Sequence, residues 1–119
     1  MKVTDFRIGN LVEEPKGHTH KIERLDESST RIRHGIKLTE EWLIKFGFMK
    51  DYNGIYWTDL EVEYLELIPS FSKKHWLPRY VQIVGFESES EVRLNKIKFV
   101  HQLQNLFFAL TGTELEMKV

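Results

Sequence analysis

Short runs of alternating apolar and polar positions fill the first third of the chain. Leu11–Val12–Glu13–Glu14, Thr19 to Leu25 and Thr30 to His34 alternate loosely, with turn signals between them at Pro15–Lys16–Gly17 and Asp26–Glu27–Ser28–Ser29. Period-two alternation in short runs marks half-buried antiparallel strands. A β-meander is expected here, entered through a turn at Gly9–Asn10. Three strands this short cannot close a core alone, so they need partners from later in the chain.

At Leu38 the period changes. Leu38–Thr39–Glu40–Glu41–Trp42–Leu43–Ile44–Lys45–Phe46–Gly47 reads as a short helix with both ends marked. Thr39 takes the N-cap place, where a hydroxyl can accept from a first-turn N–H. Glu40 and Glu41 suit the positive end of the helix dipole. Leu38 and Leu43 occupy the two positions of a hydrophobic staple. Gly47 can adopt the left-handed conformation that ends a helix. Trp42, Leu43 and Phe46 share one face, expected to cover a sheet.

Strand patterns then return. Asn53–Gly54 is a hairpin signal between Phe48–Tyr52 and Ile55–Thr58. Val62, Tyr64 and Leu67 alternate with Glu61, Glu63 and Glu66 until Pro69. Tyr80 to Val84 is a further strand, and Pro78 suggests an edge position or a strand start. Glu91 to Leu94 alternates again. A long helix follows, about 97–111, with Phe99, Leu103, Leu106, Phe107 and Leu110 on one face, Val100 at its margin and Gly112 at its end. Leu115, Met117 and Val119 suggest a closing strand. The class expected is α+β: a mostly antiparallel sheet, an N-terminal meander plus further strands, with a short central helix at about 39–47 and the long C-terminal helix. One domain over 1–119 suits the length, and any internal boundary would fall near 35–37.

Charge and composition narrow the function classes. Residues 1–60 carry ten basic and ten acidic side chains, and residues 61–119 carry seven and eight. Neither half attracts nucleic acid or an anionic membrane as a whole. The absence of cysteine removes disulfides and thiolate chemistry. No apolar run reaches membrane-spanning length, and MKVTDFRIGN lacks the apolar core of a signal peptide. A soluble cytoplasmic protein with no membrane partner is the expectation.

The far face of the C-terminal helix is unusual. It carries His101, Gln104, Asn105 and Phe108 where a solvated helix would carry Lys, Glu or Arg. In one reading, elements cover both sides of the helix and the amides bond buried backbone groups. In the other, the face meets an unknown protein partner or a second copy, since interfaces favour aromatics over charge. A catalytic His101 is the remaining alternative.

Three segments, IGNLV, LTEEWLIKFGF and KFVHQLQNLFFALTG, in that order, resemble a family of small bacterial proteins frequent in gut Bacteroidetes and in their phages and mobile elements. The VHQLQNLFFALTG stretch is the most specific mark, and the segments cover about a quarter of the chain. The resemblance implies a common α+β fold and a bacterial or phage accessory role. It brings no activity, cofactor or catalytic residue with it.

Candidate chemistry is sparse. His18 and His20 would point the same way on a strand, but no spaced third ligand completes a metal site. The glutamates read as solvated faces or helix-start charges. No phosphate loop, nucleophile elbow or metalloprotease motif occurs. No enzyme, cofactor or metal is expected, and a protein-interaction role is. The alternative is a nucleic-acid-binding module using Arg31, Arg33, Lys73, Lys74, Trp76 and Arg79, with His75 and Tyr80 beside them, since cations interleaved with aromatics can hold phosphates and stack bases.

Overall fold

The computed structural model describes residues 7, 10–13, 19–21, 34–60, 63–72, 74–83 and 89–118. In chain order the elements are β1 (Leu11–Glu13), β2 (Thr19–Lys21), β3 (His34–Gly35), α1 (Glu40–Lys45), β4 (Met49–Lys50), β5 (Tyr56–Leu60), β6 (Glu63–Pro69), β7 (Trp76–Ile83), β8 (Glu89–Arg93) and α2 (Val100–Thr111). The fold is α+β, and every strand pair described is antiparallel. The chain divides into two compact units: Met1–Leu38 with Phe99–Leu115, and Thr39–Lys98 with Glu116–Val119. The first crossing falls just beyond residues 35–37; the return at Lys98–Phe99 carries no composition signal.

The first unit holds a three-stranded sheet in the order β2-β1-β3. This corrects the meander: β3 pairs with β1, through Val12↔Gly35 and Glu13↔His34, and not with β2. The central place suits β1, whose Val12 is fully buried. Residues 22–33, which carried much of the expected second and third strands, lie outside the described residues.

Helix α2 belongs to this unit and starts at Val100, later than the periodicity suggested. Phe99 is extended, its backbone bridged to Lys37, and the Val100 N–H donates to the Ile36 carbonyl at 2.7 Å. The Gln102 Oε1 accepts the Phe99 N–H at 3.1 Å and so supports the first turn. Gly112 ends the helix in the left-handed region, φ 76°, its N–H bonded to the Phe108 carbonyl. The buried side chains are Val100, His101, Leu103 and Gln104, whereas Leu106, Phe107 and Leu110 are half-buried. The helix is therefore rotated from the orientation that its leucines and phenylalanines suggested, and part of the amide face is innermost.

In the second unit the sheet order is β4-β5-β6-β7-β8, each strand beside its sequence neighbour. Thr39 stands at the α1 N-cap, but its side chain makes no cap bond; its carbonyl accepts the Leu43 N–H at 3.2 Å. Gly47 is left-handed, φ 88°, as its place after the helix requires. Leu43 and Phe46 are buried, and Trp42 is half-buried against Phe46 with ring centroids 5.9 Å apart. Burial, then the nearby Glu40 carboxylate, raises the Tyr56 pKa, which puts α1 on the Tyr56 side of the sheet. That inner side carries buried Tyr56, Leu65, Leu67, Trp76 and Pro78, and the Tyr56 and Trp76 rings meet edge-to-face at 5.8 Å.

The β4–β5 hairpin turns over Asp51–Ile55. Gly54 is left-handed and donates to the Asp51 carbonyl, and Asp51 N–H bonds the Ile55 carbonyl at 2.9 Å. This is a three-residue loop closed by a glycine bulge, not the two-residue turn that Asn-Gly alone suggests. The Asp51 Oδ1 accepts the Asn53 and Ile55 N–H groups, and so holds the loop.

Pro78 lies inside β7, neither at its start nor on an edge strand. N–H and C=O of one residue point to the same side of a strand. Because the Pro78 carbonyl accepts from Leu94 N–H at 3.0 Å, its missing N–H faces Leu94 and not β6. The β6–β7 ladder is intact, and Trp76 exchanges both backbone bonds with Ile97 one step away. The expected closing strand is absent among the described residues 114–118; Lys118 N–H instead bonds the Lys45 carbonyl at 2.7 Å.

Candidate functional site

In the first unit, the amides of α2 hold the N-terminal segment. The Gln104 Oε1 accepts the Leu11 N–H at 2.8 Å. The Asn105 Oδ1 accepts from Asn10 Nδ2 and from Arg7 Nε, each at 2.8 Å. The Arg7 guanidinium also pairs with the Glu114 carboxylate and lies 4.5 Å over the centre of the Phe108 ring. His101 is fully buried, stacked on Phe99 at 5.7 Å, and both rings crowd Gly35: a Cβ there would come within 2.8 Å of Phe99 and 3.0 Å of His101. Of the expected interaction face, His101 and Gln104 are turned inward and Asn105 is engaged. Phe108, 40% exposed, shows an edge beside Arg7. A neutral polar face was legible in the sequence; its bonds to residues about a hundred positions away were not.

Of the residues named for nucleic acid, the described ones are Lys74, Trp76 and Arg79, with His75 and Tyr80 beside them. Arg31, Arg33 and Lys73 lie outside the described residues. Trp76 is 1% exposed, so its ring anchors the core and cannot stack a base. Arg79 donates to both Glu66 oxygens, at 2.9 and 2.7 Å, and to Glu91 at 2.8 Å. The Glu66 bond is the main cause that raises its pKa further. Tyr80 bonds Glu63. Lys74 is exposed, next to a half-buried His75. Glu66, expected on a solvated face, is buried as the partner of Arg79.

The outer side of the five-stranded sheet carries a different constellation. Strand register sets Trp57 beside Glu66, Asp59 beside Tyr64, Tyr64 beside Val81, and Glu66 beside Arg79. Cross-strand partners share a face, so these side chains stand together on the side away from Tyr56. Four of them, Trp57, Asp59, Tyr64 and Glu66, line with Asp51 a concavity of about 450 Å³. The Tyr64 hydroxyl reaches across β7 to Glu89 at 2.8 Å, which accounts for Val81 being covered on this outer side. Burial first, then the Glu89 bond, pushes the Tyr64 pKa up to about 12. The ring is a neutral wall at any physiological pH.

Two aromatic rings and three carboxylates meet in this concavity. Glu66 is saturated by Arg79, and the Asp51 Oδ1 is occupied by its own loop. Asp59 is exposed and makes no ion pair among the described residues. Across the outer face, Asp51, Asp59, Glu66, Glu89 and Glu91 outnumber Arg79 and Arg93, so the local charge is negative. Apolar surface lies on the same side, since Met49 faces Trp57 and Leu77 faces Ile68, and both are exposed.

This face was missed because the alternation in 62–67 was phased on Tyr64 with Leu67. Leu65 and Leu67 are the inward pair, which turns Tyr64 and Glu66 outward. The aromatic–acid spacing in Trp57-x-Asp59 and Tyr64-x-Glu66, on paired strands, was the available signal. Among the described residues no group of three His, Asp or Glu side chains is placed to hold a metal ion, and no helix is long and apolar enough to cross a membrane. Comparison with protein-family models, with curated proteins and with solved structures finds no match.

Proposed function

We propose that the protein is a non-catalytic interaction module and that it binds a protein partner with the outer side of its five-stranded sheet. The observation that carries the reading is the concavity walled by Trp57 and Tyr64, with exposed Met49 and Leu77 on the same side. Aromatic rings and methionine beside polar rims are the composition of protein-binding surfaces. The negative rim favours a basic segment of that partner and disfavours phosphate backbones. The resemblance of three segments to bacterial and phage proteins supports an accessory role in such a setting.

Selection from a displayed random-peptide library tests the reading. Peptides that bind are expected to be rich in basic residues and to lose binding to Trp57→Ala and Asp59→Lys proteins. They should keep binding to Lys37→Ala, a change at an exposed residue of the first unit. Selected peptides indifferent to both outer-face changes would overturn the proposal. Tight binding of single- or double-stranded DNA at low salt would favour the nucleic-acid alternative instead.

A further inference from the structure

We infer that the Trp57–Tyr64 concavity is a receptor for one arginine side chain of a basic peptide, its guanidinium held by Asp59 between the two aromatic walls; the inference rests on the interaction reading above. Three features meet here. The first is shape: a concavity of about 450 Å³ with an open mouth admits a long side chain from solvent. The second is wall chemistry. A planar, weakly hydrated guanidinium stacks on an aromatic face while its edge donates to a carboxylate, and a lysine ammonium cannot do both in one plane. Trp57 and Tyr64 supply faces, and Asp59 supplies an acceptor with no ion-pair partner among the described residues.

The third feature is the neighbouring ion pair, which sets which carboxylates are available. Arg79 engages both oxygens of Glu66 and one of Glu91. The fold thus already seats a guanidinium between carboxylates on this face. Glu66 is thereby removed as a direct ligand and acts as one wall. Asp51 has its second oxygen, Oδ2, outside the bonds that hold its loop, and lines the same concavity. An incoming guanidinium therefore meets Asp59 first and Asp51 second. Uncompensated negative charge is the reason that an apolar side chain is not the occupant. The aromatic walls are the reason that a hydrated metal cation is not.

The test uses three short Gly/Ser peptides that differ at one residue: arginine, lysine, or citrulline, which keeps the shape of arginine without its charge. Titration of the full chain is followed by NMR at the Trp57 indole N–H and the Asp59 amide. The arginine peptide is expected to shift both signals saturably. Citrulline should bind at least about tenfold more weakly, as loss of a charge-assisted hydrogen bond predicts, and lysine should fall between. Asp59→Asn, a change at an exposed residue whose fold the rest of the spectrum checks, should remove the preference for arginine over citrulline. Added salt should weaken the arginine peptide and leave citrulline unchanged. Equal binding of the three peptides, or no shift at Trp57, overturns the inference. If the arginine peptide fails while library-selected peptides still depend on Trp57, the arginine receptor is wrong and the interaction face stands. If those peptides also ignore Trp57, both fall.

Discussion

Gln104→Met removes a buried side-chain amide from the inside of the first unit. Methionine is unbranched and close to glutamine in length, so the packing around a residue only 3% exposed is kept. What disappears includes the Oε1 that accepts the Leu11 N–H at 2.8 Å. A buried donor left without its acceptor costs about 1–3 kcal/mol, more than the roughly 1 kcal/mol net value of an average hydrogen bond. The loss falls on β1, which is central in its sheet. Urea denaturation should therefore show destabilisation of about 1–3 kcal/mol, and hydrogen exchange at the Leu11 amide should accelerate more than at amides of β6 in the other unit. Gln104→Glu keeps an acceptor but buries a charge, and is expected to be worse at neutral pH than at pH 4. A methionine variant as stable as the parent, with Leu11 protection unchanged, would refute the view that the α2 amides hold the N-terminal segment.

Further outcomes follow from single contacts. Gly35→Ala drives a Cβ into the Phe99 ring and against His101, so it is expected to cost about 1–3 kcal/mol by thermal or urea denaturation. Arg79→Leu leaves Glu66 buried without its partner. With Arg79 itself partly exposed, a loss of about 1–3 kcal/mol is expected, and the double change Arg79→Leu/Glu66→Leu should recover much of it. Tyr64 has its pKa raised from 10.0 to about 12, so its contribution is complete below pH 10 and is lost as pH rises from there through 12. Phenolate absorbance should report a group titrating near pH 12 that is missing in Tyr64→Phe, and that variant should show a smaller decline in stability above pH 10.

What could be read from the sequence was local. α1 and its glycine stop rest on neighbouring residues, and so does a turn built on Asp51 to Gly54. The alternation of Glu91 to Leu94 is local in the same way, and it falls in β8 as far as Arg93. Pairings set by distant residues were not legible. The β3–β1 pairing, the Arg7 contacts with Asn105 and Glu114, and the return of the chain at Phe99 join positions far apart in sequence. No local pattern encodes them. On α2 the leucine face alone does not set the inward side: a buried backbone N–H needs an acceptor that leucine lacks, and Gln104 supplies one to Leu11, in keeping with the reading in which the amides bond buried backbone groups. Pro78 misled because a strand tolerates proline wherever the missing N–H faces away from an unbroken ladder, a property of register and not of composition.

Locating a library-selected peptide on the protein by NMR chemical-shift mapping tests the central claim most directly. The outer-sheet reading predicts that the largest shifts fall on Trp57, Asp59, Tyr64 and their strand neighbours in β5 and β6. Shifts centred on Phe108 and the C-terminal turn of α2, with the Trp57 indole unmoved, would contradict it.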